Sequence, residues 1–187
     1  MNGNISEIIK PASALIMVTI AAAALLGYVH TITMEPITAQ QLNIETEAIG
    51  AIFDQTLDTS KEVNIPINSP IKRALEVYSE GKPLGYAIFT SPSGYSGPVN
   101  IVVGVSTDGV VGGVMILEHS ETPGLGANAN SSVFTDQYKG KSGKLRVTKS
   151  TAGDDEIQAI TSATITTNAV TKGVNDALDF YRQSLAK

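Results

Sequence analysis

Two segments of the 187-residue chain carry side chains and backbone features suited to holding a ligand. The first is Thr161–Asn168, in which six of eight side chains are hydroxyls or a carboxamide and which runs directly into an apolar pattern of helical spacing. Free amides at a helix start, together with the helix dipole, favour an anionic group such as a phosphate. The same residues could instead be a generously supplied helix cap, and the pattern alone favours neither interpretation.

The second segment runs from Glu121 to Gly126 and reads Glu-Thr-Pro-Gly-Leu-Gly. Its proline fixes one φ angle, and its two glycines permit a close approach to the backbone. Glu121 adds a hydrogen-bond acceptor and Thr122 adds a hydroxyl. Taken alone, such a segment is more often a tight turn than a binding loop.

Residue counts exclude several classes of site. The chain has no cysteine, which rules out disulfides, thiolate zinc sites, cysteine-ligated iron–sulfur clusters and c-type haem attachment. Only two histidines are present, His30 and His119, so no metal site built on several histidines is predicted. Dinucleotide-binding glycine fingerprints, P-loops and serine elbows are also missing, so we predict no catalytic residue and no metal site. A redox role would need a cofactor held without sulfur.

The charge balance argues against nucleic acid as a partner. The chain has 13 Lys and Arg residues and 18 Asp and Glu residues, which gives a formal net charge of −5. Five of the thirteen basic residues lie in Lys139–Lys149. This segment is either a solvated turn leading into a strand or a docking site for anionic lipid or an acidic partner.

An apolar run near the N-terminus predicts a transmembrane helix over about 12–32. No charged residue lies between Lys10 and Glu35, and the 18 residues Ala12–Val29 would span about 27 Å of a bilayer core of about 30 Å. The alternative is a cleaved signal peptide, whose apolar region is usually about 7–15 residues long. Because the next basic residue after the span is Lys61, we expect a cytoplasmic N-terminus and a single pass through the cell (inner or plasma) membrane. We therefore divide the chain into an N-terminal segment, 1–35, and an extracytoplasmic domain, 36–187.

The domain reads as α+β, with elements that would position the two segments. We predict an amphipathic helix over 39–57, followed by a loop with a short edge strand around Val63. Strands follow at 84–90, 99–106 and 110–118 as an antiparallel meander. The remaining expectations are apolar helix positions at Leu42, Ile49, Ile52, Phe53 and Leu57, edge-strand residues Ile65 and Ile67, a hairpin at Thr107-Asp-Gly109, and a C-terminal helix from about Asn168, capped by Asn168 or Thr167.

Considered together, these features resemble a known family. They are the anchor, Gly85-Tyr86, Gly94-Tyr95, the strand Val99–Val105, the hairpin, the 121–126 loop and Ile160–Val170. The chain resembles the G subunit of the Rnf complex, a membrane ferredoxin:NAD oxidoreductase, and the related C subunit of the sodium-pumping NADH:quinone reductase. The family motif is Asp-x-x-Ser/Thr-Gly-Ala-Thr, and the chain departs from it at two positions, with Gln158 for the aspartate and Ser162 for the glycine.

The resemblance implies an FMN-binding domain whose cofactor a flavin transferase links covalently, through its phosphate, to the last threonine of the motif. On this sequence that acceptor is Thr164, with Thr166 as the fallback. The 121–126 loop would pack beside the flavin ring, where the charge of Glu121 would lower the flavin potential. The remaining cofactor-binding residues implied are Thr161, Ser162, Ala163, Thr167, Thr122, Leu125 and Gly126.

By the same resemblance, the chain is an electron-transfer subunit that relays electrons within an Rnf-type ferredoxin-oxidising, ion-translocating complex, rather than an enzyme alone. Its partners would be the membrane, the other membrane and peripheral subunits and the flavin transferase. Ala12–Val29 contains no acid or base, so other subunits would form the ion path. The alternatives are a cofactor-free assembly or scaffolding subunit, a stand-alone surface flavoprotein reductase and, more distantly, a pilin-like structural protein.

Overall fold

The computed structural model describes residues 5–55 and 58–186, and it describes side chains from residue 11 onward except for those of 35–39. The chain forms two compact units, Met1–Ile44 and Glu45–Lys187.

A single long helix accounts for the described part of the first unit. This helix, α1, runs from Ile5 to Phe53, so that its last turns belong to the second unit. Pro11–Met34, 24 residues with exposed side chains, is long and apolar enough to cross a membrane, at about 36 Å in length. The hydroxyls of Thr31 and Thr33 donate to backbone carbonyls one turn earlier, which satisfies them within an apolar stretch.

The helix predicted over 39–57 is the last part of α1 rather than a separate element. Both apolar patterns share the helical period, and α1 continues through Pro36 even though proline lacks a backbone donor and disfavours a helix interior. Leu42 is exposed, whereas Ile49 and Ile52 are buried as expected. Leu57 lies outside the described residues.

The second unit is built on a five-stranded antiparallel sheet in which every strand pairs with its sequence neighbour. The predicted meander is therefore confirmed, with one further strand before it. An edge strand does form, but it ends at Glu62, before Val63, Ile65 and Ile67, although the Val63 amide still donates to the Ala74 carbonyl at 2.9 Å. The strands are β1 Thr59–Glu62, β2 Ile71–Ser79, β3 Lys82–Thr90, β4 Val99–Ser106 and β5 Val111–His119.

The hairpin between β4 and β5 forms at Thr107-Asp-Gly109, as predicted. Gly109 has a φ of +79°, which glycine adopts freely, and the ring of Tyr181 lies against its Cα. The Tyr181 hydroxyl donates a hydrogen bond to the Thr107 carbonyl. The hairpin is thereby tied to the C-terminal end of the chain.

The end of α1 covers one face of the sheet. Ala48, Ile49 and Ile52 pack against apolar side chains that include Phe89 and Val102. Gly104 on β4 is paired with Gly113 on β5, and a Cβ on Gly104 would overlap the Cγ2 atom of Ile52. The absence of side chains on these two glycines therefore allows Ile52 to pack directly against the sheet backbone.

The larger core lies on the opposite face, under the C-terminal helix α3, Thr164–Phe180. Alternate β4 residues, such as Ile101 and Val103, meet Val170 and Val174 of α3 in this core. Three short helical elements follow β5: a 3₁₀ turn (Gly126–Asn130), the helix α2 (Ser132–Thr135) and a second 3₁₀ turn (Asp136–Tyr138). The strands β6 (Arg146–Thr148) and β7 (Glu156–Gln158) then pair in parallel before α3. A π-helical turn (Tyr181–Leu185) follows α3.

The start of α3 differs from the prediction. The helix begins at Thr164, four residues before Asn168, and neither Asn168 nor Thr167 is its N-cap. The N-cap is Ala163, and its side chain makes no capping hydrogen bond. Since hydroxyl residues suit both a cap and a first turn, the run of threonines does not mark the boundary, and it places three threonines inside the helix.

Candidate functional site

A cleft of about 400 Å³ lies where the 121–126 loop meets the first turn of α3. It brings the two predicted segments together, although they are far apart in sequence. Eight of the ten predicted site residues line it: Glu121, Thr122, Leu125, Gly126, Ser162, Ala163, Thr164 and Thr166. Glu121 is the one charged side chain among the lining residues.

Thr164 is the first residue of α3 and is half-buried at the cleft. Its hydroxyl makes no hydrogen bond with any residue of 5–55 or 58–186. The first-turn amides of an α-helix have no intrahelical acceptor, and among the described residues the N-cap, Ala163, makes no capping hydrogen bond with its side chain. A free hydroxyl and uncapped amides therefore stand together at this end of the cleft.

Two other predicted threonines are buried and already hydrogen-bonded. Thr166 is 1% exposed, and its hydroxyl donates to Oε2 of Glu121 at 2.6 Å. The Thr167 hydroxyl accepts from the Ile160 amide at 3.1 Å and donates to the Ala163 carbonyl at 3.0 Å. Thr167 thus fixes the turn before α3 and lies behind the cleft rather than in its wall.

Ser162, where the family motif has glycine, has a φ of +62°. An L-residue pays a steric cost in this left-handed region, whereas glycine does not. Ser162 therefore holds a left-handed backbone conformation that glycine would adopt with less strain. Its neighbour Thr161 is exposed and lines an adjoining cleft instead of the first one.

Glu121 is 6% exposed, and donors surround its carboxylate. Oε1 accepts from the amides of Tyr95 at 2.8 Å and Ser96 at 3.0 Å, while Oε2 accepts from the Thr166 hydroxyl. Burial by itself raises the pKa of Glu121, but these hydrogen bonds and the nearby His119 lower it, so that the pKa lies below its usual value. The carboxylate is therefore held in its charged form.

The backbone of Glu121 is also held in place. Its amide donates to Nδ1 of His119 at 3.1 Å, and the Asn130 side chain lies 3.0 Å from Nε2 of the same ring. These contacts join the start of the 121–126 loop to His119 at the end of β5 and to Asn130 in the following 3₁₀ turn.

Sequence reasoning missed two residues of the cleft wall. Tyr95 is 72% exposed and Ile165 is 54% exposed, and both line the cleft together with Leu125. Such large exposed apolar side chains, grouped at a cleft, mark a binding surface. Two features of the sequence could have indicated them: Tyr95 is an aromatic residue among turn residues, and Ile165 is an apolar residue among hydroxyl residues.

A second cleft, of about 470 Å³, adjoins the first and shares Leu125 and Ser162 with it. Its wall contains Gln137, whose side chain accepts from the Gln158 amide at 2.7 Å and donates to the Gln158 carbonyl at 3.4 Å. Gln137 therefore anchors the start of the segment that leads to Thr164. Within the described ranges, no group of three or more His, Cys, Asp or Glu side chains could hold a metal ion.

The chain is similar to a known domain family over part of its length and to a solved structure over most of it. Residues 94–179, which include the whole first cleft, match the FMN-binding domain family. The C subunit of the Na⁺-translocating NADH-quinone reductase from Parabacteroides distasonis shares the fold, with a TM-score of 0.65 at 20% identity over 83% of this chain and 98% of that one.

Three relatives match across the chain. The G subunit of the Na⁺-translocating ferredoxin:NAD⁺ oxidoreductase complex of Acetobacterium woodii is 42% identical, covering 91% of this chain and 87% of the relative. The G subunits of ion-translocating oxidoreductase complexes from Methanosarcina acetivorans and Aliivibrio fischeri strain MJ11 are 30% and 31% identical, covering 93% and 92% of this chain and 94% and 90% of the relatives. The chain therefore belongs to the G-subunit family of ion-translocating oxidoreductase complexes of the Rnf type.

Proposed function

We propose that the chain carries FMN, esterified through its phosphate to the Thr164 hydroxyl, and relays electrons between redox carriers of an Rnf-type complex. Its relatives are subunits of ion-translocating oxidoreductase complexes, and its domain is of the FMN-binding family. The observation that carries the proposal is the Thr164 hydroxyl at the start of α3, which opens on the cleft and has no hydrogen-bond partner in the part of the chain that the structure describes.

The donor set of the cleft fits an FMN. A phosphate needs amide and hydroxyl donors, which the first turn of α3 offers at Thr164. The Glu121 carboxylate, the anion of this cleft, is hydrogen-bonded to Thr166 rather than to Thr164. A flat ring needs apolar cover, which Tyr95, Leu125 and Ile165 offer. The volume of about 400 Å³ is within the usual range for ligand pockets. When bound, a flavin supplies one- and two-electron chemistry, while these residues hold it, orient it and exclude water.

Thr164 is a better acceptor than Thr166 on structural grounds. The Thr166 hydroxyl is buried and already donates to Glu121, so linkage there would break a buried hydrogen bond and leave the carboxylate short of a donor. The Thr164 hydroxyl is accessible from the cleft and loses no such bond.

The chain's place in the membrane is part of the same proposal. The candidate span Pro11–Met34 would anchor it as a single pass, with the N-terminus in the cytoplasm and the FMN domain on the other side. A covalent link suits that location, because a cofactor that is only bound would be lost by dilution there. A flavin transferase would act during maturation, and the other subunits of the complex would supply and accept the electrons.

Intact-mass spectrometry of the full-length protein tests the linkage. With a flavin transferase co-expressed, we expect a gain of roughly 438 Da, the mass of FMN less one water, on wild-type protein and on Thr166→Val. Thr164→Val should lack it. An unmodified mass in every sample, native membranes included, would contradict the proposal and favour the cofactor-free assembly subunit.

A redox titration tests the electrostatic effect of Glu121. Its buried charge lines the cleft and disfavours electrons added to a bound flavin, so Glu121→Gln should raise the midpoint potential. An unchanged potential in a fully flavinylated variant would remove this role from Glu121.

A further inference from the structure

We infer that Glu121 is a positioning residue: its carboxylate clamps together the three chain segments that form the cleft and so sets the environment of the flavin. The part concerning flavin rests on the proposed function. The clamp consists of Glu121, the amides of Tyr95 and Ser96, and the Thr166 hydroxyl.

The hydrogen bonds of the clamp join parts of the chain that are remote in sequence. The Tyr95 and Ser96 amides belong to the loop between β3 and β4 and lie 26 and 25 residues from Glu121. Thr166 belongs to the first turn of α3 and lies 45 residues away. Glu121 itself begins the loop that follows β5. A single carboxylate therefore holds two loops and one helix start in register.

Two glycines show how closely the chain is fitted around this carboxylate. A Cβ on Gly94 would overlap Oε1 of Glu121, and a Cβ on Gly126 would overlap Oε2. A Cβ on Gly126 would also lie 2.6 Å from the Thr166 hydroxyl oxygen. The backbone on both sides thus approaches the carboxylate to a distance that no other residue type permits.

The buried carboxylate is committed to the protein rather than to a ligand. Its two oxygens accept three charge-assisted hydrogen bonds, and the side chain is almost fully enclosed. Such bonds are roughly twice as strong as neutral ones, and a donor left unpaired in a buried site carries a desolvation cost. Removing one arm should therefore loosen the other two segments as well.

The chain offers a matched control on the same helix. Thr171 is a buried threonine of α3 whose hydroxyl pairs with the Tyr138 hydroxyl at 2.8 Å, away from the cleft. Thr166→Val and Thr171→Val each remove one buried hydroxyl from α3. Only the first of these changes touches the clamp.

Amide hydrogen exchange of the full-length protein in detergent tests the clamp without requiring flavin. We expect Glu121→Ala to speed exchange at Tyr95 and Ser96 by about tenfold or more, the effect of losing a hydrogen bond to a charged group. Thr166→Val should speed it by a smaller factor, and Thr166→Ser should restore the wild-type rate. Glu121→Gln, which keeps an acceptor oxygen but loses the charge, should speed exchange by a smaller factor than Glu121→Ala, and Thr171→Val should stay near wild type.

A second readout links the clamp to the cofactor. On protein that carries FMN, Thr166→Val should alter the midpoint potential and the visible circular dichroism although the Glu121 charge is retained, and Thr171→Val should alter neither. Wild-type exchange rates in Glu121→Ala would overturn the clamp, and so would equal effects of Glu121→Gln and Glu121→Ala. An unchanged potential and spectrum in Thr166→Val would overturn its influence on the flavin.

The two proposals can fail separately. If wild-type protein carries no FMN, the covalent-flavin proposal fails, while the exchange rates at Tyr95 and Ser96 still decide whether the clamp exists. If FMN is attached but exchange is unaffected by the variants, the flavin proposal stands and the clamp is wrong.

Discussion

Ser162, which stands where the family motif has glycine, adopts a left-handed backbone conformation. Its φ of +62° is one that glycine adopts without strain. The sequence identified the position as unusual because glycine was expected there, and the backbone shows that Ser162 has a positive φ. The contact between Glu121 and Thr166, in contrast, joins residues that are 45 positions apart in the sequence. No local pattern predicts their hydrogen bond.

Ser162→Gly should raise the free energy of unfolding by about 0.5–1 kcal/mol, because relief of the left-handed strain exceeds the entropy that glycine adds to the unfolded chain. The neighbouring Thr161, also exposed, is not among the residues with positive φ, so Thr161→Gly should destabilise the protein. Denaturant unfolding of the full-length protein measures both changes. Destabilisation by both glycines would show that Ser162 is not strained.

The lowered pKa of Glu121 predicts an acid-sensitive contribution to stability. A carboxyl with a lower pKa in the folded state stabilises the protein above its unfolded pKa, about 4.3, and that contribution is lost as pH falls through the folded value. Wild-type protein should therefore exceed Glu121→Gln in unfolding free energy at pH 7, and the difference should shrink towards pH 3. A difference that stayed constant over this range would contradict the lowered pKa.

At the scale of elements, periodicity predicted the sheet well and the ends of helices less well. β4 has the predicted bounds, because strands of Val and Ile between turn signals are hard to misplace. The start of α3 was wrong by four residues, because threonines suit a cap and a first turn equally. The packing of Ile52 on the Gly104–Gly113 pair depends on contacts across the sheet that the sequence does not show.

Gly104→Ala should destabilise the protein by about 1–3 kcal/mol, because the added methyl would overlap Ile52 Cγ2. Combining it with Ile52→Ala should cost less than the sum of the two single changes, since the smaller side chain leaves room for the methyl. Gly112→Ala is the control, because the nearest atom to its Cβ would be 3.8 Å away. Denaturant unfolding of the wild type, the two single variants and the double variant gives the coupling free energy between Gly104 and Ile52. Strict additivity of the two changes would contradict the proposed contact.

At the scale of the whole molecule, composition and one apolar run predicted an anchored domain, and the structure adds a candidate span, Pro11–Met34. The basic segment Lys139–Lys149 contains the strand β6, as the turn-and-strand interpretation predicted. Two of its lysines have protein partners, Lys139 on Asp136 and Lys141 on the Asp154 carbonyl. The direction in which the chain crosses a membrane is not a property of the fold, so it needs its own test.

Single-cysteine labelling tests the proposed topology cleanly, because the chain has no cysteine of its own. Thr151→Cys lies in an exposed loop of the domain and should react with a membrane-impermeant maleimide in intact cells, after removal of an outer membrane where one is present. Asn4→Cys should react only after the cells are permeabilised. The reverse pattern would place the domain in the cytoplasm.

Tandem mass spectrometry of the tryptic peptide Ser150–Lys172, from protein purified with its native complex, would locate the flavin itself. This peptide contains every threonine and serine of the site segment, so fragment masses assign an attached FMN residue by residue. We predict that N-terminal fragments ending at Ala163 are unmodified and that those including Thr164 carry the flavin mass. A flavin located on Thr166, or a peptide found only unmodified, would contradict the assignment of Thr164 as the point of attachment.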